Sequence, residues 1–336
     1  MTLKNTAAAM ALGLVAAPAL AEDARFSWEG ELELGVEATI DSDDPTAEIR
    51  DTYGSVEISG SARIGDGVSV FATFVGESVT DATQDRSFDD LGLYISELGV
   101  SIEIGRATLA VGKITPTFGR AWDEGAGFFG SGLSEDYELT EMLGGTLEIP
   151  LGGDAGTLTV AAFFADDTAL SRSAGFDRGR NTTAAGGAGN TGKLDNVAVT
   201  WTKEFGDNSM QLGARHLSAG TGDVGDETGF VASLGHDFGN GFTLFGEAAA
   251  FDRFGGGADD ATYLTLNAAY EVGAWTFSGT LSQLDADTAG KVKMAAIGAD
   301  YTFANDITVG AGLAMVDEAG VDNTVFGVNV VIPFGG

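Results

Sequence analysis

Acidic and aromatic side chains are concentrated in residues 115–138, which read TPTFGRAWDEGAGFFGSGLSEDYE. The charged residues of this segment are Arg120, Asp123, Glu124, Glu135, Asp136 and Glu138, and its large aromatics include Trp122, Phe128, Phe129 and Tyr137. Carboxylates favour cations, whereas aromatic rings stack on flat or apolar partners. Glycines between these residues allow the segment to fold tightly. We therefore take it as the main candidate site.

A second set of carboxylates lies near the N-terminus, on segments where polar and apolar residues alternate. Glu29, Glu31, Glu33 and Glu37 share one face of the first such segment, opposite residues such as Leu34. Glu57 repeats the pattern on the next segment. Carboxylates in a row are too costly to bury in a dry core. This face is therefore predicted to line a water-filled space.

Catalytic and metal-binding signals are weak. His216 and Ser218 lie two residues apart on one predicted strand and so share a face, but no third residue completes a hydrolytic site, and we expect no enzyme activity. With no cysteine and two histidines, typical zinc sites are excluded and no cofactor is expected. Acidic pairs such as Asp89-Asp90 and Asp259-Asp260 either bind calcium weakly or are simply solvated.

The elements that carry these residues are predicted to be β-strands, because the alternation has a period of two. Tight turns alternate with longer polar connections along the chain, which predicts about sixteen strands in an all-β, closed transmembrane barrel. The alternation changes phase between Ser96 and Gly99, which predicts a bulge. The longer connections are expected at residues 41–52, 79–90, 115–138, 168–192, 219–227, 252–260, 285–290 and 317–321.

The N-terminus and the charge restrict the compartment and the partners. Residues 1–21 are typical of a cleavable signal peptide, which leaves residues 22–336 as the barrel. The formal net charge is −33, yet 44% of residues are hydrophobic, which excludes a disordered acidic chain. So negative a chain disfavours nucleic acid and favours cations, although an acidic surface adapted to salty water is an alternative explanation.

The signal peptide, the strand number, the long connection after the fifth strand at residues 108–114, and the final strand VFGVNVVIPF resemble the general bacterial porins. The chain is most similar in character to the acidic porins of alphaproteobacteria. The resemblance implies an outer-membrane barrel, often a homotrimer, that contacts lipid and lipopolysaccharide. Its third loop, residues 115–138, would fold inward as a constriction. General porins often place basic wall residues opposite that loop, and the candidates here are Arg63, Lys113 and Arg215.

These observations together predict passive diffusion of small hydrophilic solutes, with a preference for cations. Two alternatives remain open. One is a substrate-specific porin, for example for sugars, in which the aromatics of residues 115–138 stack on the ligand. The other is a secreted acidic β-protein or adhesin without a pore. A later loop that carries Arg172, Arg178 and Arg180 is predicted to clamp an anion, to dock on a neighbouring subunit, or to be solvated.

Overall fold

A computed structural model describes residues 25–336, and within this range sixteen long strands form one antiparallel sheet. The predicted signal peptide lies outside the described residues. The strands are β1 (Phe26–Ser42), β2 (Arg50–Gly65), β3 (Val68–Ser78), β4 (Leu91–Ile104), β5 (Ala107–Ile114), β6 (Met142–Pro150), β7 (Thr157–Ala165), β8 (Asn196–Phe205), β9 (Asn208–Leu217), β10 (Glu227–Asp237), β11 (Phe242–Asp252), β12 (Ala261–Val272), β13 (Trp275–Ala286), β14 (Gly290–Thr302), β15 (Thr308–Glu318) and β16 (Val321–Gly335).

The sheet closes on itself because the first and last strands pair. β1 is hydrogen-bonded to β2 on one side and to β16 on the other, with Leu34 opposite Val330 and Ala38 opposite Phe326. Closure leaves no strand edge unpaired, which is the condition for a sheet to exist in lipid. The predicted fold class, a closed antiparallel barrel of about sixteen strands, is confirmed.

Side chains alternate between the two faces of the wall as the sequence predicts. On β9 and β10 the outward Leu212 and Phe230 are 47% and 61% exposed, whereas the inward Gln211 and Ser233 are buried. Large apolar side chains that face outward would be costly in water and are stable against lipid. No helix among the described residues is long and apolar enough to cross a membrane.

One end of the barrel carries tight turns. Gly67, Gly105, Gly206 and Gly273 adopt φ values between +59° and +66° there, a left-handed conformation that suits the turns of two-residue hairpins. Aromatic side chains collect beside these turns, as in the contact of Trp28 with Phe334 and the contacts of Tyr301 with Trp275 and Phe303. They form the girdle expected at a membrane interface.

The opposite end carries the longer connections, with two exceptions. Residues 287–289 and 319–320 are as short as the turns, because β13 to β16 extend further than the sequence indicates, so the longer connections expected at residues 285–290 and 317–321 are wrong. The bulge predicted in β4 is confirmed: Thr73 pairs with Glu97 and Phe74 with Ile95, which leaves Ser96 without a partner.

Regular helix is scarce in residues 25–336. One α-helix, α1, covers Ala121–Glu124, and the 3₁₀ turns are Pro45–Ala47, Ser134–Tyr137, Ala169–Ser171, Thr183–Ala185 and Phe254–Gly256. Two further segments pair with the wall without extending the barrel: Arg86–Ser87 runs parallel to β2, and Ala174–Gly175 pairs with β4. Two of the longer loops therefore fold back onto the barrel.

Candidate functional site

The connection between β5 and β6, residues 115–141, lies inside the barrel, and we call it the constriction loop. Both of its ends converge on one buried carboxylate of β11. Glu247 accepts hydrogen bonds from the backbone nitrogens of Arg120 and Ala121, at 2.7 and 3.2 Å, and from the Tyr137 hydroxyl at 2.7 Å. A single acceptor thus holds the start and the end of the loop against the same strand.

A buried arginine of β9 makes the second anchor. Arg215 Nε donates to Glu227 Oε1 at 2.7 Å, and its Nη1 donates to the carbonyl oxygen of Tyr137 at 2.5 Å. The guanidinium also lies 4.6 Å from the ring centroids of both Phe118 and Phe251. The charge of Arg215 is therefore paired with Glu227 and stacked between two rings, and the side chain is 5% exposed. Arg215 thus anchors the loop and presents little charge to the lumen.

The aromatic residues of the loop pack on the wall. Tyr137 is 1% exposed and contacts the rings of Phe118, Phe251 and Tyr263, with centroids 5.0 to 6.4 Å apart. Burial and the neighbouring Glu247 raise the pKa of the Tyr137 hydroxyl well above its usual value, so it remains a hydrogen-bond donor. A ring so enclosed is out of reach of a passing solute.

The middle of the loop is held by polar side chains of the wall. The amide of Asn267 on β12 pairs with both the nitrogen and the carbonyl of Ala126, at 3.1 and 3.0 Å. Further along, Ser282 Oγ accepts from the nitrogen of Leu133 at 3.1 Å, and Tyr263 donates to Asp136 at 3.0 Å. The loop therefore follows the inner wall from β9 towards β16 and leaves the β1 side open.

The open side is a cavity of about 470 Å³ between the loop, the first two strands and strands β13 to β16. Among residues 25–336, its lining includes eight carboxylates and no lysine or arginine. The carboxylates are Glu31, Glu33, Glu37, Asp123, Glu124, Glu135, Asp300 and Asp306; Trp122, Phe128, Phe129 and Tyr53 also line the cavity. Six of the ten predicted loop residues and three of the four predicted β1 glutamates thus line one cavity, whereas Arg120, Asp136, Tyr137 and Glu138 are absent from its lining.

The wall opposite the loop is itself acidic. Glu31 lies directly opposite Glu57 in the β1–β2 register. Glu57 in turn is within electrostatic range of Glu97 and Glu138, so wall and loop carboxyls face each other. Glu33 is the best held of this group, because it accepts from the hydroxyl of Tyr53 and from the Asn329 amide, both at 2.7 Å.

The loop carboxyls are perturbed by this crowding. Burial, together with the nearby carboxylates of Glu135, Asp123 and Glu57, raises the pKa of Glu138 to about 8. Burial also raises the pKa values of Asp123 and Glu124, the latter opposed by Arg120, whose Nη1 lies 2.8 Å from Glu124. The negative charge of the loop therefore increases with pH through the neutral range.

The basic residues proposed for the wall lie elsewhere. Lys113 is 1% exposed, with Nζ 2.8 Å from Glu141 and 2.9 Å from Asp166, so its charge is neutralised where the loop ends. Arg215 is buried in its pair with Glu227, and Arg63 is exposed beside the turn at residues 66–67. Glu29, at the same end of β1, is also exposed and is absent from the cavity lining.

The arginine-bearing loop between β7 and β8 uses its cations locally. Arg178 reaches Glu141 at 2.5 Å and lies 3.9 Å from the centroid of the Tyr94 ring, which ties this loop to the constriction loop. Arg180 donates to the carbonyl of Asp167, and Arg172 lies 3.8 Å from Asp177.

Residues proposed for other chemistry do not converge. His216 Nε2 lies 3.9 Å from Asp226, whereas the Ser218 hydroxyl donates to the carbonyl of Asp195. Within the part of the chain that the structure describes, no three histidine or carboxylate side chains are arranged to hold a metal ion.

The sequence prediction misses several residues of the site, among them Glu97, Asp300 and Glu247. Glu97 and Asp300 face inward by the alternation of their strands, so a fuller reading of the pattern would have found them. Glu247 also follows the alternation, but nothing in its local sequence marks it as the residue that holds the loop.

Comparison with known proteins identifies the family. A model of the Gram-negative porins matches residues 6–320. Pseudomonas putida OprB has a TM-score of 0.65 at 12% identity, covering 92% of this chain and 94% of its own. A mutant Rh. blastica porin scores 0.60 at 17%, covering 92% and 100%, and an anion-selective porin from Comamonas acidovorans scores 0.57 at 14%, covering 93% and 99%. No curated protein sequence matches. The chain belongs to the Gram-negative porins, a family of outer-membrane channels.

Proposed function

We propose that this porin passes small hydrophilic solutes by passive diffusion and prefers cations. The observation that carries the proposal is the composition of the passage, where, of the residues described, eight carboxylates and no basic side chain line the cavity. Carboxylates that face one another across a narrow opening lower the energy of a cation between them and raise that of an anion.

The magnitude depends on the width of the opening. Two unit charges 4 Å apart interact by ~1 kcal/mol in bulk water and by several times more where protein displaces the water. At physiological ionic strength the Debye length is about 8 Å, so carboxylates on distant loops contribute little. The preference is therefore assigned to the constriction loop and the β1–β2 wall, rather than to the net charge of the chain.

Side chains must decide whether the channel prefers cations or anions, because the same barrel architecture occurs in a channel that prefers anions. The porin from Comamonas acidovorans is described as anion-selective and superposes over nearly its whole length. Architecture alone therefore cannot distinguish a cation path from an anion path, and the eight carboxylates are the distinguishing feature here.

Reversal potentials in planar bilayers test the proposal. A salt gradient across the wild-type channel is expected to give a cation-selective potential. Replacing Asp123, Glu124, Glu135 and Asp136 by lysine should reduce or invert it. The matched control replaces acidic residues of the outer loops, Asp43, Asp44, Asp89 and Asp259, and should leave it nearly unchanged. An unaltered potential in the loop variant would refute the assignment to this loop.

A substrate-specific channel is the second candidate, and it is supported by the rings of Trp122, Phe128 and Phe129 in the cavity lining. Such a channel would be blocked by one solute class at low concentration. A panel of neutral sugars, basic amino acids and sulfonates added to the bilayer distinguishes the two, since a general channel shows no selective block.

We infer further that the chain works as a homotrimer, as porins of this family generally do. The large apolar outward surface, with residues such as Ile40, Phe74 and Leu93, suits both lipid and subunit contact. Gel migration without boiling, compared with chemical cross-linking in mild detergent, measures the number of subunits.

A further inference from the structure

Three glycines lie side by side in the inner wall at the end of the sheet nearest β1. Gly298 on β14 is directly opposite Gly312 on β15, which is directly opposite Gly327 on β16. We call these three the glycine row. Glycine weakens a strand interior and commonly marks the close approach of another group, so three in register require an explanation.

The tip of the constriction loop fills the space above the row. A Cβ atom at Gly327 would overlap the ring of Phe128. A Cβ atom at Gly312 would lie 2.9 Å from Phe129 Cδ2 and 3.0 Å from Phe128 Cβ, closer than side chains tolerate. The two rings also pack edge to face with centroids 4.8 Å apart. Gly312 and Gly327 thus form a shallow seat for one aromatic pair, and Gly298 lies beneath the tip at Gly127, whose Cα would be 3.6 Å from a Cβ atom there.

The loop has little freedom to adopt another position. Its tip is a tight turn in which the backbones of Gly125 and Gly130 touch, and the nitrogen of Gly130 donates to the carbonyl of Gly127 at 2.8 Å. Ala126 is held by Asn267 on one side of the tip, and Leu133 by Ser282 on the other. Any side chain added beneath the rings would therefore push the tip towards the lumen.

The direction of that movement is towards the acidic wall. Gly327 is directly opposite Glu37 in the β16–β1 register, so the row ends where the open side of the passage begins. Phe128 and Phe129 line the same cavity as Glu31, Glu33 and Glu37. The depth at which the rings sit consequently sets the free distance between the loop tip and β1.

We propose that the glycine row is the set of positioning residues that fixes the width of the passage, with Phe128 and Phe129 acting as its anchor. This inference rests on the channel function proposed above. In this arrangement the two phenylalanines hold the loop on the wall rather than recognise a solute. The glycines of the wall beneath them then determine the size limit of the channel.

Single-channel conductance of Gly327→Val tests the proposal, because valine suits a strand while its side chain occupies the seat of Phe128. We expect conductance to fall to half or less, together with a smaller size limit for neutral polyethylene glycols. Adding Phe128→Ala to Gly327→Val should restore most of the conductance. A purely structural defect would not be relieved by a second truncation.

The matched control is Gly246→Val on the outward face of β11, where a Cβ atom lies 3.6 Å from Leu266 Cδ1 and has room. It should conduct like the wild type. If Gly327→Val fails to assemble, Phe128→Ala alone remains informative and should widen the passage. Wild-type conductance in Gly327→Val, or a loss that Phe128→Ala does not relieve, overturns the inference. A wild-type barrel that does not conduct would instead refute the channel function.

Discussion

Removing the carboxylate of Glu247 is expected to release the first part of the constriction loop while the barrel stays folded. Replacement by alanine leaves three donors without an acceptor: the nitrogens of Arg120 and Ala121 and the hydroxyl of Tyr137. Ala121 is fully buried and Tyr137 is 1% exposed, so water does not replace the lost acceptor. The docked loop therefore loses stability relative to a detached one.

The magnitude follows from the three donors. Each buried donor left unpaired costs roughly 1–3 kcal/mol. Part of this is offset because a buried carboxylate no longer has to be desolvated. We expect a net loss of about 3 kcal/mol, which raises the population of the detached loop about a hundredfold, at 1.4 kcal/mol for each factor of ten.

Trypsin reports this population directly, because Arg120 is the one basic residue in residues 115–141 and its side chain is 13% exposed. Cleavage of a transiently opened segment follows the open population when opening is fast. Glu247→Ala should be cut after Arg120 about a hundredfold faster than the wild type, with the new N-terminus at Ala121 identified by mass spectrometry.

Two variants control the experiment. Glu247→Gln keeps an oxygen that accepts from two of the three donors, and should be cut at an intermediate rate. Asp252→Ala removes an exposed outward carboxylate from the same strand and should behave like the wild type. If Glu247→Ala resists trypsin as the wild type does, while its unboiled gel migration is unchanged, the anchoring role of Glu247 is refuted.

Two further predictions concern charge. Since the pKa of Glu138 is raised to about 8, this carboxyl is mostly neutral below that pH and gains its charge above it. The cation preference, measured from reversal potentials, should therefore rise between pH 6 and 9, and Glu138→Gln should lose part of this rise. Identical pH profiles of the variant and the wild type would contradict the assignment. Lys113→Met leaves the buried Asp166 without its cation, at a cost of about 3–5 kcal/mol. The temperature at which the unboiled band converts to the unfolded form should fall markedly, and the control Lys291→Met, in a half-exposed pair, should hardly change it.

The barrel is predictable from the sequence because every strand has one face against lipid and one face against water. Lipid outside and water inside impose the alternation of Leu212 with Gln211, and the bulge at Ser96 appears as a break in that alternation. The constriction loop is likewise found by counting strands and by its composition. Short loops are harder to predict. Strands β13 to β16 extend past the ends predicted from the sequence, because polar residues such as Lys291 and Asp317 remain paired in the sheet.

The partners of the inward charges are not predictable in this way. Arg215 meets the carbonyl of Tyr137, and Lys113 meets Asp166, across 78 and 53 positions of the chain. Which inward residues lie at the same height depends on the stagger of all the strands between them. Local alternation gives the face of a residue, but not its height in the lumen, and so it misplaces both cations on the open wall.

The passage is acidic because basic side chains are kept out of it, as well as because carboxylates line it. Five mostly buried basic side chains, Arg86, Lys113, Arg120, Arg178 and Arg215, are each committed to a carboxylate that holds a loop or a strand. These pairs use positive charge away from the passage, whose lining among residues 25–336 contains eight carboxylates and no lysine or arginine. A net charge of −33 alone would be equally consistent with an acidic outer surface. The proposed cation preference therefore depends on where the few basic side chains are used, and a variant that freed one of them into the passage should weaken it more than the loss of a distant carboxylate.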